Sequence, residues 1–386
     1  MEDKVLILIN HYIPGYKFGG PIRSIQAIKT KLEKHVKFEI ITSDRDFGDL
    51  CAFSNIQFNS WNNEGKEDIY YFRGGFVKYL LLLIRRSRMV RAIYLNSFFN
   101  ARYSILIILL SYLKVIKSKI VLAPRGEFNS GALGIKSRKK VWFLFVAKNL
   151  RLYSKVRWHA TTIEESLAII EIFGKSSDIV LAEGISPKVV DRKLAINLKE
   201  QGKLSLVFLA RISKIKNLDF IIRTLASVND AKYISLDIYG PKEDLEYWNM
   251  CEKLIVDVNK SKSKININYK GEVLYQDVST TLSKYDFYIL PTLGENFGQS
   301  IADSFSIGLP VIISDKTPWR NLQMENVGWD LPLDINYFVK IIEECTEMNF
   351  DQYSIMQNNC LQYAEQFLNN QSLIEKYVKL FSTEGG

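Results

Sequence analysis

The segment PTLGENFGQSIADSF (291–305) places two carboxylates where they can do chemistry. Glu295 follows an apolar, strand-like run and lies among glycines, and Asp303 comes eight positions later. Gly294 and Gly298 permit a tight backbone around Glu295, and a helix is expected to begin close to Gly298. Asp303 is expected inside that helix, on a side that faces the same ligand. Carboxylates accept hydrogen bonds from neighbouring hydroxyls, which suits sugar and ribose diols. The alternative is a pair of ordinary surface acids.

Two basic residues follow another strand-like run, LSLVFLA, in the segment RISKIKNLDF. Arg211 is expected in the loop and Lys216 at the entrance of a helix, with Asn217 as the cap of that helix. Cations at a helix N-terminus oppose its dipole, so an anion bound between them would relieve the conflict. A diphosphate suits this pair, because arginine offers a planar fork and lysine a mobile point charge. The alternative is that both side chains are simply solvated.

A pair of glycines follows the first apolar run of the chain. Gly19 and Gly20 lie in HYIPGYKFGGPIRS and lead into a helical pattern. Glycines let backbone N–H groups approach an oxyanion, and the positive end of the helix favours a phosphate. A plain turn accounts for the same two residues equally well.

Short apolar runs alternate with longer amphipathic segments, which predicts an α/β fold. Near-continuous valine, isoleucine and leucine strands separated by helices indicate parallel sheets that are covered on both faces. Two such series predict two doubly wound, Rossmann-like domains, 1–185 and 204–365, with a polar linker at 186–203. Residues 366–386 are expected to form a helix that packs back on the first domain. In such sheets ligands bind beyond the carboxyl ends of the strands, where the residues above lie.

The predicted elements can be given as sequence runs. The strands are KVLILIN, KFEIITS, AIYLNS, KIVLAP and RWHATT in the first series, and LSLVFLA, YISLDIYG, ININYKG, DFYILP and PVIISD in the second. The helices of the first series are IRSIQAIKTKLEKH, FVKYLLLLIRRSRMV, ARYSILIILLSYLKV and KKVWFLFVAKNLRLY.

Length and composition exclude several classes of protein. The chain has 386 residues, enough for two domains, and its 47% hydrophobic content excludes a disordered protein. The four cysteines form no Cys-x-x-Cys pair, which favours reduced thiols and a cytosolic compartment. The first apolar run is too short for a signal peptide, and the longest, YSILIILLSYL, is too short to span a bilayer, so no transmembrane segment is expected.

Positive charge is concentrated in the first half of the chain. The net charge is +9, and residues 71–160 contain 19 lysine and arginine residues but one acid, Glu127. A field of this sign attracts polyanions, such as an anionic bilayer, a phosphorylated acceptor or nucleic acid. No RNP motif, zinc finger or helix-turn-helix pattern is present, which argues against nucleic acid. A solvated basic surface is the alternative.

With these residues in place, the chain resembles retaining glycosyltransferases of the two-Rossmann, GT-B type and is similar to glycosyltransferase family four. LARISKIKNLDFII resembles that family's phosphate-clamp segment, and YGPKED, with Gly240, resembles its Gly-Pro turn. The block from KGEVLYQDV to SDKTPW resembles its signature. APRGEF and ATTIEES resemble a bacterial surface-polysaccharide subset. The resemblance extends from the first strand to about residue 335 and implies two domains that face each other across a cleft.

The resemblance also implies roles for individual residues. Glu295 is implied to bind donor-sugar hydroxyls, and Asp303, which replaces the family's second glutamate, the ribose diol. Arg211 and Lys216 are implied to bind the diphosphate, and Arg125 lies where many relatives place a histidine near the donor sugar. Glu295, Arg211, Lys216 and Arg125 are expected to be catalytic, and no metal site is expected. The other implied donor-binding residues are Gly19, Gly20, Gly240, Asn296, Phe297 and Gly298.

The chain departs from the family pattern at three places. Asp303 is one methylene shorter than glutamate, so a ribose contact requires a shift or a bridging water. Arg125 cannot act as a base, because a guanidinium stays protonated, which leaves an electrostatic or acceptor-binding role. Ala182-Glu183-Gly184 stands at the usual Pro-Asn-Gly position, and the sequence assigns no role to Glu183.

The implied reaction transfers a glycosyl unit from a UDP- or GDP-linked sugar to a glycan hydroxyl, with retention of configuration and without a metal or cofactor. The implied acceptor is a polyprenyl-diphosphate-linked glycan of a bacterial surface polysaccharide. The expected location is cytoplasmic, at the anionic inner face of the membrane, with no nucleic acid partner. Alternatives with the same fold are a nucleotide-sugar epimerase and a phosphorylase. A further alternative is a basic membrane- or nucleic-acid-binding module with an inactive sugar site, which the intact set of Arg211, Lys216 and Glu295 argues against.

Overall fold

The chain folds into two compact units. The structure, a computed structural model, describes residues 4–17, 19–64, 67–128, 137–186, 190–191, 199–229, 232–368 and 370–382. Unit 1 comprises Met1–Pro187 together with Asn370–Gly386, and unit 2 comprises Lys188–Asn369. The last helix of the chain therefore belongs to unit 1.

Unit 1 is built on a mixed sheet. Its described strands follow the order β3-β4-β2-β1-β5-β6-β7-β8, and neighbours are parallel except for the antiparallel pair β3–β4. The central strands are largely apolar because both faces of the sheet are covered. The strands are β1 Lys4–Leu8, β2 Lys37–Ser43, β3 Trp61–Glu64, β4 Glu67–Phe72, β5 Ala92–Leu95, β6 Lys119–Leu122, β7 Val156–Ala160 and β8 Asp178–Leu181.

Helices cover the two faces of this sheet. Side chains alternate along β1, so Leu6 and Leu8 join one core cluster whereas Val5 and Ile7 join another. The first cluster receives apolar side chains from α2, α3, α4 and α5, and the second from α1 and α12. These helices are α1 Gly20–Leu32, α2 Phe76–Ser87, α3 Leu106–Tyr112, α4 Ser137–Asn149, α5 Ile163–Phe173 and α12 Gln371–Phe381.

Unit 2 is built on a parallel sheet. Its described strands follow the order β11-β10-β9-β12-β13-β14, which is the strand order of a doubly wound nucleotide-binding sheet. The strands are β9 Lys203–Leu209, β10 Tyr233–Tyr239, β11 Ile265–Gly271, β12 Phe287–Leu290, β13 Val311–Ser314 and β14 Gly328–Leu331. The helices are α6 Leu218–Ser227, α7 Leu245–Ser261, α8 Val278–Leu282, α9 Gln299–Phe305, α10 Ile335–Glu347 and α11 Phe350–Leu368.

The predicted α/β class with two Rossmann-like sheets is confirmed, and all ten predicted strands are present. The sequence did not predict β3, β4, β8 and β14, because these strands are short or begin with polar residues. The antiparallel β3 also corrects the expectation of wholly parallel sheets. The helix predicted over 101–115 begins as a π-helical turn, Ala101–Ile105, before α3.

Two further expectations concern the linker and the membrane. Most of the predicted linker, 186–203, lies outside the described residues, and β9 begins at Lys203. Among the helices that the structure describes, none has both the length and the apolar character that crossing a bilayer requires.

Candidate functional site

The strand order of unit 2 creates a switch point at the carboxyl ends of β9 and β12. The chain runs outward from β9 through β10 and β11 and then returns to the other side of β9 with β12. Loops that leave two such neighbouring strands diverge, and doubly wound sheets bind ligands between them. The loop after β9 carries Arg211 and Lys216, and the loop after β12 carries Glu295.

Lys216 and Glu295 contact each other at this switch point. Lys216 Nζ forms an ion pair with Glu295 Oε1, and the two side chains are 13% and 16% exposed. Solvent screens a pair of such low exposure less than it screens a surface pair. Lys216 closes a 3₁₀ turn directly before α6, so the structure places its ammonium at the entrance of the predicted helix. The sequence pointed to both residues but not to their contact.

Hydrogen bonds join the two loops. Leu293 N donates to Ile215 O at 2.8 Å, and Thr292 Oγ1 donates to the same carbonyl at 2.9 Å. Asn217 Nδ2 donates to Pro291 O at 3.0 Å. Asn217 is the N-cap residue of α6, as predicted, but its side chain makes no capping hydrogen bond in the described helix. Its amide instead fixes the loop after β12.

Gly298 starts α9 in the left-handed region of backbone space. Its φ is 79°, and a Cβ at this position would lie 2.7 Å from Ile301 Cδ1. Glycine is therefore required where the chain turns from the Glu295 loop into the helix. The predicted start of a helix close to Gly298 is confirmed.

Aromatic packing anchors the segment between Glu295 and α9. The Phe297 ring lies 5.5 Å from the rings of both Trp319 and Phe367, and Trp319 Nε1 donates to Phe297 O. Asn296 is half-buried beside it. The Phe297 side chain thus packs against the core of unit 2.

Asp303 lies inside α9, and its side chain is fully buried. α9 packs against α8, α11 and β13, and every residue from Ile301 to Phe305 is buried. Asp303 is therefore not one of the ordinary surface acids that the sequence allowed as the alternative. The binding of a ribose diol by Asp303 stays a prediction.

Arg211 is tied to the Gly-Pro turn that follows β10. Its Nη1 donates to Glu243 Oε1 at 2.6 Å, and the Arg211 side chain is 45% exposed. Gly240 has a φ of 138°, and a Cβ there would lie 1.9 Å from Ala210 O. Gly240 therefore lets the turn pass close to the backbone that precedes Arg211, and Ile212 N donates to Pro241 O at 2.9 Å.

In unit 1, Gly19 and Gly20 lie between β1 and α1. Gly19 has a φ of 68°, and a Cβ at either glycine would meet nothing within 4 Å among the described residues. A buried carboxylate, Asp46, holds the same loop by accepting hydrogen bonds from Tyr16 N at 2.7 Å and Lys17 N at 3.0 Å. The sequence analysis missed Asp46, although it lies just after a predicted strand.

Arg125 lies just after β6, at the same edge of the sheet as the Gly19–Gly20 loop. Its backbone is left-handed, with a φ of 54°. Its Nε donates to Asn96 Oδ1 at 2.9 Å, and its Nη2 donates to the Tyr94 hydroxyl at 2.8 Å. The guanidinium is therefore held on two sides by residues from the end of the neighbouring strand β5, a constraint that the sequence did not indicate.

Two carboxylates, the buried Glu165 and the half-buried Glu127, fix the residues that follow Arg125. Gly126 N donates to Glu165 Oε1 at 2.7 Å, and Glu127 accepts from Ser97 Oγ at 2.8 Å and from the backbone N–H groups of Phe98 and Phe99. Burial raises the pKa of Glu127, and these hydrogen bonds oppose that shift. The one acid of the basic section 71–160 is thus a structural anchor.

His159 extends the Arg125 cluster inward. Its Nδ1 lies 2.8 Å from the Tyr94 hydroxyl, and its Nε2 lies 2.9 Å from Ala182 O. Burial lowers the pKa of His159 to about 3, and the positive charge of Arg125 adds to this shift. The imidazole is therefore neutral at physiological pH.

Acidification is expected to destabilise unit 1 through His159. The pKa of an unfolded histidine is about 6.5, so below that pH the unfolded chain binds a proton that the folded chain excludes. As the pH is lowered from about 6.5 to about 4, the free energy of unfolding should decrease by up to about 1.4 kcal/mol per pH unit. Chemical denaturation of a His159→Gln variant should show a flatter pH dependence. The exposed His35→Gln variant is the matched control, and equal slopes in the two variants would rule out His159 as the cause.

The structure brings the predicted residues together in two groups. In unit 2, the loops and helix starts around the switch point hold Arg211, Lys216, Gly240, Glu295, Asn296, Phe297, Gly298 and Asp303. In unit 1, one edge of the sheet holds Gly19, Gly20 and Arg125. Across the described part of the chain, no three His, Cys, Asp or Glu side chains group closely enough to hold a metal ion.

Part of unit 2 matches a family model. Residues 203–331 match the family model described as Glycosyl transferases group 1. The matched segment includes Arg211, Lys216, Gly240, Glu295 and Asp303. A curated relative, an uncharacterized 41.2 kDa protein in the cps region of Klebsiella pneumoniae, is 20% identical over 194 residues, which cover 50% of each chain. The chain therefore spans about half the length of this curated relative.

Solved structures share the fold over the whole chain. HepE of Anabaena, in complex with UDP and glucose, is 14% identical with a TM-score of 0.69, over 99% of this chain and 100% of that one. WaaG, a glycosyltransferase involved in lipopolysaccharide biosynthesis, is 14% identical with a TM-score of 0.64, over 98% and 100%. The chain thus has the GT-B fold, and the predicted resemblance to GT-B glycosyltransferases is confirmed.

Proposed function

We propose that this chain is a retaining glycosyltransferase that moves a sugar from a UDP- or GDP-linked donor to a hydroxyl of a lipid-linked glycan during bacterial surface-polysaccharide synthesis. The observation that carries the proposal is the Lys216–Glu295 pair at the switch point of unit 2, inside the segment that matches group 1 glycosyltransferases. The UDP-glucose bound by HepE and the lipopolysaccharide role of WaaG support the donor class and the pathway class.

In the proposed reaction, the cations of unit 2 stabilise the leaving group. Lys216 and Arg211 bind the diphosphate and offset the negative charge that grows on it as the anomeric C–O bond breaks. Glu295 accepts hydrogen bonds from the donor sugar and holds the Lys216 ammonium in place. The acceptor hydroxyl attacks from the face that the diphosphate leaves, and a phosphate oxygen takes its proton. Neither a metal nor a cofactor takes part in this proposal, because the two side chains supply the positive charge.

A donor screen followed by a transfer assay tests the proposal. The cognate nucleotide sugar should raise the melting temperature, since a ligand at 100 times its Kd adds about 2.7 kcal/mol of stability. The product formed with a glycan acceptor should keep the donor's anomeric configuration. Stabilisation by no nucleotide would favour the inactive binding module. Turnover without an acceptor would favour an epimerase, and turnover that requires inorganic phosphate a phosphorylase.

The two carboxylates Glu295 and Asp303 should bind different parts of the donor. We expect Glu295→Gln to lower kcat/KM for the nucleotide sugar but to keep the affinity for free UDP or GDP, because the Gln variant no longer pairs with Lys216 and leaves it available to phosphate. Asp303→Asn should weaken the binding of the free nucleotide. Isothermal titration with free nucleotide separates the two, and the exposed Glu325→Gln is the control. Equal losses of nucleotide affinity in both variants would contradict this division of roles.

Membrane association is proposed on the outer side of the helices that cover one face of the unit 1 sheet. We define the basic-apolar surface as the exposed side chains of α2, α3 and α4 and of the residues directly after them. Its apolar members include Phe76, Val77, Leu81, Leu113, Val141, Trp142 and Phe145. Its basic members include Lys78, Arg85, Arg88, Lys114, Lys117, Lys139 and Lys148. Exposed apolar and basic side chains together suit an anionic bilayer, where a polyprenyl-diphosphate-linked acceptor would lie.

Three basic residues of the section 71–160 do not belong to this surface. Arg86 forms a two-pronged ion pair with the buried Glu39, and its guanidinium lies 4.5 Å from the Trp61 ring centroid. Arg91 and Lys119 are only partly exposed. Lys119 Nζ lies 3.9 Å from Asp178 Oδ2. Arg86 and Lys119 pair with carboxylates of unit 1, and Arg91 is not fully exposed, so a test of membrane binding must leave all three unchanged.

Binding to liposomes should therefore depend on the exposed members of the surface. We expect co-sedimentation with vesicles that contain anionic lipid, weaker binding at high salt, and a loss of binding in Arg85→Gln/Arg88→Gln. The loss should be about tenfold to thirtyfold, because each basic residue near such a bilayer contributes about 1 kcal/mol. Trp142→Ser/Phe145→Ser should also weaken binding, without changing its salt dependence.

The control keeps the change in charge but moves it elsewhere. Lys34→Gln/Lys37→Gln removes two exposed positive charges outside the basic-apolar surface and should bind as the wild type does. Equal partitioning into neutral and anionic vesicles, or equal losses in the two charge-neutralising double variants, would show that the basic-apolar surface is only a solvated surface and does not bind membranes.

A further inference from the structure

The hydrogen bonds around Arg125 have a single consistent direction. The Ala182 carbonyl only accepts, so the neutral His159 carries its proton on Nε2 and donates it to Ala182 O. His159 Nδ1 therefore accepts from the Tyr94 hydroxyl, and the Tyr94 oxygen in turn accepts from Arg125 Nη2. These three hydrogen bonds form a relay that runs from Arg125 through Tyr94 and His159 to the backbone after β8.

The last helix of the chain packs against this relay. The Tyr377 ring of α12 lies 5.1 Å from the His159 ring, edge to face, and the Phe381 ring lies 5.5 Å from the Tyr94 ring. Tyr377 and Phe381 are both buried in the core cluster that also contains Tyr94. One aromatic side chain of α12 thus covers each of the two relay residues, Tyr94 and His159.

Ion pairs and hydrogen bonds fix α12 in that position. Lys376 pairs with Glu183 at 3.1 Å, and the Tyr377 hydroxyl donates to Glu183 O at 2.9 Å. At the other end, the buried Arg157 donates to Lys379 O at 2.8 Å and to Ser382 O at 3.0 Å. Glu183, for which the sequence suggested no role, therefore anchors α12 beside Ala182, the acceptor at the end of the relay.

We infer that Tyr94, His159, Tyr377 and Phe381 are positioning residues that aim the Arg125 guanidinium at an anionic group of the substrate, so that the docking of α12 sets the geometry of the unit 1 side of the reaction. The inference rests on the proposed function for the identity of that group, a phosphate of the donor or of the acceptor. Preorganised side chains contribute to catalysis through the packing that locks them, and α12 supplies that packing here.

A double-mutant cycle separates positioning from general stability. Tyr94→Phe should lower kcat/KM by about tenfold in the wild type but by less than about twofold in an Arg125→Ala background, because its effect passes through Arg125. Tyr377→Leu should behave like Tyr94→Phe. Glu375→Ala changes an exposed side chain of the same helix and is the control, with kcat/KM expected within about twofold of the wild type. Equal losses in the wild-type and Arg125→Ala backgrounds would overturn the inference.

A second readout does not need turnover. The side-chain Nε–H of Arg125, observed by NMR in selectively labelled protein, should exchange slowly with water in the wild type and faster in Tyr94→Phe and Tyr377→Leu. Unchanged exchange in both variants would overturn the inference even if activity fell. Absence of glycosyl transfer by the wild type with every donor would instead reject the proposed function, and the exchange measurement would still decide whether α12 holds Arg125.

Discussion

Replacing Lys216 with alanine is expected to cause the largest loss of activity among the substitutions at the switch point. The Lys216 side chain is 13% exposed and is held by Glu295. Its removal would take away the positive charge that we propose for binding the diphosphate, and would leave a carboxylate without its partner. The loss should be on the order of 2–4 kcal/mol of transition-state stabilisation, measured as kcat/KM for the cognate donor. Arg211→Ala should cost less, because this side chain is 45% exposed and its charge is better screened.

The matched control for Lys216→Ala is two residues away. Lys214 lies in the same 3₁₀ turn and is exposed, so Lys214→Ala removes the same charge without opening the pair. It should keep kcat/KM close to the wild-type value. If Lys216→Ala keeps wild-type rates with every donor that the native protein uses, the proposed role of the pair is wrong.

Gly240→Ala is expected to have the largest effect on the stability of unit 2. The new Cβ would lie 1.9 Å from Ala210 O, and the φ of 138° is one that alanine rarely adopts. Neither the turn nor the β9 backbone can yield without breaking sheet hydrogen bonds, so the free energy of unfolding should fall by about 3–5 kcal/mol. Denaturant unfolding measures this loss.

Gly294→Ala provides the comparison within the same unit. A Cβ at Gly294 would meet nothing within 4 Å, and its φ is not in the left-handed region. Its effect on stability should be within about 1 kcal/mol. Similar losses in the two variants would show that the close approach of the Gly240 turn to Ala210 is not what requires glycine.

Sequence reasoning located the switch point because it depends on a rule of topology. Residues that follow parallel strands meet at one edge of a sheet, and the apolar runs before Lys216 and Glu295 are long enough to be read as strands. The role of Gly298 could also be predicted, because a glycine between a strand and a helix indicates a tight turn. The fold class follows from the same alternation of runs.

What the sequence did not predict depends on where side chains point. Asp303 has the right spacing for a ligand, but its spacing does not report that the carboxylate is fully buried. Arg86 belongs to a basic run of α2, but it pairs with Glu39 of β2. No local pattern in the sequence predicts a contact between residues 47 positions apart. The Tyr94–His159 relay likewise joins distant strands, and its members are single polar residues within apolar runs.

The contact between Lys216 and Glu295 also bears on how the site would discriminate among anions. Because the two charges cancel locally, an isolated phosphate or sulfate gains the ammonium only against the repulsion of the adjacent carboxylate. A nucleotide sugar meets both groups with matching chemistry, since its phosphates suit Lys216 and its hydroxyls suit Glu295. The pair would then reject abundant small anions of the cell and reserve the cation for a ligand that presents charge and hydroxyl groups a few ångströms apart.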